Sequence, residues 1–61
     1  MINPELSRRA FRIVNTDAYI NLSPEGRLRF IREIEHVNRF DELPEKCKDV
    51  LIAGEREMQG Y

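Results

Sequence analysis

Few side chains in this sequence are suited to covalent or acid–base chemistry: one histidine (His36), one cysteine (Cys47) and two serines (Ser7 and Ser23). A nucleophilic pair would need Cys47 beside His36, with the imidazole taking the thiol proton. The spacing argues against it. Cys47, Val50, Leu51, Gly54 and Met58 recur at helical intervals and form an apolar stripe. Apolar surroundings raise a thiol's pKa and leave it inert. His36 falls on the solvated side of its own helix. The carboxylates Glu33 and Glu35, Glu55 and Glu57, and Asp41 and Glu42 stand one or two residues apart, where helical side chains do not face each other and cannot share a proton. Glu33 and His36 have the i, i+3 spacing of bundle metal sites, but a single outward pair reads as solvated. One cysteine allows neither an internal disulfide nor a multi-cysteine metal cage. The three glycines are scattered and build no phosphate loop. The chain is therefore read as not an enzyme, with no catalytic residue, cofactor or metal ligand expected.

The arginines carry a different message. Arg29, Arg32, His36 and Arg39 are spaced by three, four and three residues, a single stripe on one side of a helix. Phe30, Ile31, Ile34 and Val37 interleave with them and point the other way. A second basic face, Arg8, Arg9 and Arg12, opposes Leu6, Ala10, Ile13 and Val14. Ile52 stands outside its helix's apolar stripe, among Lys48, Glu45, Glu55 and Arg56, and is expected to be exposed, either as an ordinary surface residue or as a contact anchor. Guanidinium groups suit both carboxylate and phosphate.

Several features count against phosphate. Glu25 and Glu35 precede Arg29 and Arg39 by four residues, and Glu33 follows Arg29 by four. Such ion pairs contribute only ~0.2–0.5 kcal/mol each, yet together they would flatten the stripe's potential. The acidic run Asp41-Glu42-Leu43-Pro44-Glu45 opens the last helix, where a recognition helix would need to meet phosphate. The net charge is −1, without the basic excess of nucleic-acid binders. The first-helix face is cleaner, with Glu5 its only nearby acid.

Punctuation sets the elements that carry these groups. Ser23-Pro24-Glu25 places a capping hydroxyl, a first-turn proline and an acid at a helix start, with Gly26 where a full capping box would want Glu or Gln. Pro44 disfavours helical geometry at Leu43, so one helix stops by about Phe40 and another begins near Pro44. Asn3-Pro4-Glu5 repeats the same grammar. The spacing predicts helices at 4–15, 24–39 and 44–58, with Gly60 as the stop. The connection 16–22 folds over the core through Tyr19, Ile20 and Leu22, by a short turn opened at Asp17. Gly54, inside a helix at a cost of ~1 kcal/mol relative to alanine, suggests close approach by a neighbouring helix or, more plainly, the point where a large side chain such as Phe30 or Phe40 packs. The architecture read from this is all-α: a small three-helix bundle forming a single domain over 1–61.

A chain of 61 residues lies near the lower size limit for independent folding and buries only ~60% of its unfolded surface. With no disulfide to help, good packing or a partner must supply the rest. Apolar residues at 41% against 34% charged suit a helical globular chain and argue against disorder. Residues 1–40 carry a balance of +2 and residues 41–61 one of −3, a charge separation suited to head-to-tail or self-complementary contacts. The opening Met1-Ile2-Asn3-Pro4-Glu5 lacks a secretory leader's pattern, and no apolar run approaches the ~20 residues that span a membrane. Asn21-Leu22-Ser23 matches the glycosylation pattern by chance, with Pro24 directly after it. A reduced, cytoplasmic setting is expected.

The leading expectation is a non-catalytic module that binds a larger protein, as a regulator or inhibitor, through an acidic patch on that partner. A small helical DNA- or RNA-binding regulator ranks second. A subunit of a homo-oligomeric helical bundle is a third reading. The expected binding surface comprises Arg8, Arg9, Arg12, Arg29, Arg32, His36, Arg39 and Ile52.

Overall fold

A computed structural model describes residues 4–60. Helix α1 spans Pro4–Arg12, the short α2 Asp17–Ile20, α3 Pro24–His36 and α4 Glu45–Met58, with a 3-10 turn at Phe40–Glu42 before α4. No strand occurs among the described residues. The fold is a small all-α bundle of three long helices and one short one.

Its core runs continuously through Leu6, Ala10 and Ile13 of the first helix and its turn, Phe30 and Ile34 of α3, Leu43, and Cys47 and Leu51 of α4. Each apolar stripe turns inward over most of its length. Tyr19 meets Phe30 edge-on, with ring centroids 5.7 Å apart and planes at 69°, a favoured aromatic geometry. The connection 16–22 covers the core through this ring, while Ile20 stays 49% exposed. Met58 also departs from expectation: it closes the α4 stripe in sequence but is 45% exposed.

The expected helix starts hold to within a residue. Ser23 Oγ accepts the Gly26 N–H at 3.0 Å, with Pro24 opening the first turn. Leu43 is extended ahead of Pro44, as the proline ring demands. The Pro44 carbonyl then accepts the N–H groups of Cys47 and Lys48.

The ends are shorter than the spacing predicts. Helix α1 stops at Arg12, not 15, where Ile13 N–H turns back to Ala10 and the Thr16 hydroxyl donates to the Ile13 carbonyl at 2.6 Å. Helix α3 stops at His36, not 39. There the imidazole Nδ1–H donates to the Arg32 carbonyl at 2.7 Å, Val37 is extended, and Glu42 Oε1 accepts the N–H groups of Asn38 and Arg39 at 2.9 and 3.2 Å. Glu42 thus satisfies two N–H groups that a longer helix would have paired internally.

Two carboxylates of α4 fasten the first third of the chain. Glu55 receives Arg9 Nε and a terminal nitrogen of the same guanidinium, each at 2.9 Å. Glu57 accepts the N–H groups of Asp17 and Ala18, each at 2.8 Å, and so caps α2 from across the fold. Gly54 directly precedes Glu55 and faces the turn after α1. A Cβ there would be 2.7 Å from the Ile13 Cβ and 3.0 Å from Thr16 Oγ1. The glycine does mark a close approach, but to Ile13 and Thr16, not to Phe30 or Phe40. Helix α1 packs on both α3 and α4, and α2 lies along α4, whereas α3 and α4 run close to each other over little of their length.

Candidate functional site

Helix α3 presents Arg29, Arg32 and His36 on its outer face, and all three are exposed. Phe30 and Ile34, at 1% and 2% exposure, hold the opposite face in the core. This anchoring fixes the helix's rotation and therefore the direction of the stripe. Arg39 does not belong to it. The helix ends three residues earlier, and Arg39 leads into the 3-10 turn with its N–H on Glu42.

The expected ion pairs Glu25–Arg29, Arg29–Glu33 and Glu35–Arg39 are not formed among the described residues. The last is lost with the helix end; the others join long, solvated side chains whose pairing gains little against their conformational entropy. Arg29 and Arg32 are therefore not tied to a carboxylate by direct contact, with Glu25 lining the same cleft. Leu28 lies beside them at 61% exposure. A shallow cleft of about 400 Å³ along this part of the chain is lined by Ser23, Glu25, Leu28, Arg29 and Arg32.

The first-helix arginines separate into two roles. Arg8 and Arg12 are exposed, with Phe11 between them at 63% exposure. Arg9 is rotated toward α4, where it pairs with Glu55 and lies 5.1 Å from the Phe40 ring centroid. The hydrogen bond to Glu55 raises the Arg9 pKa and holds the Glu55 carboxyl below its ordinary value. Lys48 approaches the same ring at 5.9 Å. Arg9 thus joins α1, α4 and the 3-10 turn, and is occupied within the fold. Glu5 is not the only acid near this face, as Glu55 reaches it from α4.

Ile52 is 38% exposed, as its position outside the stripe implies. Phe11 and Leu28 are far more exposed, and sequence reasoning passed over both. The signal was present: Phe11 falls three residues after Arg8, and Leu28 four before Arg32, so each shares a face with charged neighbours.

Cys47 is buried, and desolvation pushes its thiol pKa up, reinforced by Glu33 and opposed by Arg29. His36 has one ring nitrogen tied to the Arg32 carbonyl. Among the described residues, no three of His, Cys, Asp and Glu gather in a metal-binding arrangement. No described helix is long and apolar enough to cross a membrane. No family model, curated protein or solved structure matches the chain.

Proposed function

We propose that this chain is a non-catalytic interaction module that binds a larger protein through an acidic patch on that partner, acting as its regulator or inhibitor. The observation that carries this reading is Leu28, largely exposed beside two arginines that have no carboxylate partner among the described residues. Protein-binding surfaces concentrate their energy in large apolar side chains and arginine, framed by polar groups. A phosphate backbone would use the arginines and gain nothing from Leu28. The buried thiol and the tethered imidazole fit a chain that binds and does not catalyse.

The reading is tested by capture of the intact chain's partner from its native cell, beside the double variant Arg29→Glu, Arg32→Glu. The native chain is expected to retain one specific protein, and charge reversal to weaken that association at least ~10-fold with an unchanged helical circular dichroism spectrum. Full retention by the variant would reduce the stripe to solvated surface. The second reading, a nucleic-acid regulator, draws on exposed Arg8 and Arg12. It requires binding to DNA or RNA at ~50 mM salt that falls steeply as salt rises.

A further inference from the structure

The gap between α3 and α4 is not closed. Their first halves leave a groove of about 190 Å³ whose floor and walls are Leu22, Phe30, Cys47 and Val50, with Gly26 contributing no side chain. Arg29 and Lys46 stand on its two sides, one from each helix. Neither forms an ion pair among the described residues. Acids border the groove as well: Glu33 of α3 lies near enough to act on Cys47, and Glu45 adjoins Lys46 in sequence. The charged groups lining the groove itself are both cationic.

The volume decides what such a site can take. Whole-ligand pockets run to ~300–1,000 Å³, so this groove suits one apolar side chain. A side chain arriving on an acidic segment would place its flanking carboxylates against Arg29 and Lys46, where guanidinium and ammonium can pair with them. Arg29 also borders the cleft that holds Leu28 and Arg32, which makes the groove continuous with the face described above.

We propose that this groove is the anchor pocket of the interaction surface: it receives a leucine- or phenylalanine-sized side chain from an acidic segment of the partner protein, with Arg29 and Lys46 reading the carboxylates on either side. This rests on the interaction-module reading and specifies the chemistry of its partner.

The test uses the full chain, labelled with nitrogen-15, and a synthetic peptide with one leucine flanked on both sides by glutamates. Two control peptides replace the leucine by alanine or the glutamates by lysines. Expected are backbone amide shifts at Gly26, Arg29, Lys46, Cys47 and Val50, an affinity at least ~10-fold weaker without the leucine, and loss of binding to the lysine peptide. The exposed substitutions Arg29→Glu and Lys46→Glu should each weaken the acidic peptide without changing the circular dichroism spectrum. Equal binding of the alanine peptide, or no shifts around the groove at millimolar peptide, would overturn the proposal. So would displacement of the acidic peptide by duplex DNA. A captured partner whose footprint lies on Arg8, Phe11 and Arg12 would remove the groove while leaving the module reading intact. Absence of any charge-dependent partner would remove that reading itself.

Discussion

Ile13 cannot retreat from a methyl group added at Gly54, because the nearest atoms are its own Cβ and Cγ2, at 2.7 and 2.9 Å. A β-branched side chain has little rotamer freedom to relieve such a contact, so the backbones would have to part. Overpacking costs typically ~1–3 kcal/mol, against ~1 kcal/mol recovered from helix propensity. Gly54→Ala is therefore expected to lower stability by roughly 1 kcal/mol and the melting temperature by roughly 4–8 °C, read by thermal circular dichroism. An unchanged melting temperature would show that the two segments part easily. Glu55→Gln acts differently. Both partners of the Arg9–Glu55 pair are about one-third exposed, so solvent screening limits its worth to ~0.5–1 kcal/mol. Glu55 is held below its ordinary value, so its contribution is complete above the ordinary glutamate range and is lost as the pH falls through the depressed folded value. Native and variant stabilities should differ at pH 7 and converge in acid below ~pH 4; a constant gap would assign the effect to shape and not charge. Arg9 itself shows the limit of reading spacing alone. It sits one residue from Arg8 in sequence, but one residue is 100° around a helix, enough to turn it from solvent toward α4.

The helix starts were legible because their signals are local: Ser23 with Pro24, and Pro44 with Leu43, act within a few residues. Helix ends and the short α2 were not, because their partners are remote. Asp17 suggested a turn, but the group that caps α2 is Glu57, 40 residues away from Asp17 and 39 from Ala18. No periodicity reports such a contact. Removing that carboxylate by Glu57→Ala should cost ~0.5–2 kcal/mol, as helix caps do, and should speed amide hydrogen exchange at Asp17 and Ala18 more than within α3. Uniform acceleration across the chain would show that α2 has no stability of its own to lose. The shortened α3 has a similar cause. Glu42 satisfies the Asn38 and Arg39 N–H groups past the stop, and Arg39 lies outside the stripe because the helix ends before it.

For the whole molecule, the charge separation expected to favour contacts between copies is used partly within one copy. Arg9 of the basic portion meets Glu55 of the acidic portion, and Glu57 holds α2. The radius of gyration, 10.6 Å, matches the ~10.5 Å of a compact chain of this length. A melting temperature independent of protein concentration over a hundredfold range is therefore expected, measured by calorimetry; a rise with concentration would mean that folding is linked to self-association. The helical class and most of the core were readable from apolar period alone. The groove was not, since it depends on α3 and α4 meeting α1 more fully than each other, a property of three-dimensional packing that leaves no local mark. The unpaired state of Arg29 was hidden for a related reason: favourable spacing permits an ion pair without requiring one.

Glu55 and Glu57 also bear on the order in which this protein can be made. Their partners, Arg9, Asp17 and Ala18, are synthesised about forty residues earlier. A ribosome delivers α1 and α2 before α4, so they lack their fastenings until the end of α4 has been translated. Helical domains usually fold through contacts near in sequence and do so quickly. Here two fastenings are long-range, so Leu6, Ala10 and Ile13 lack their α4 partners until α4 itself has been translated.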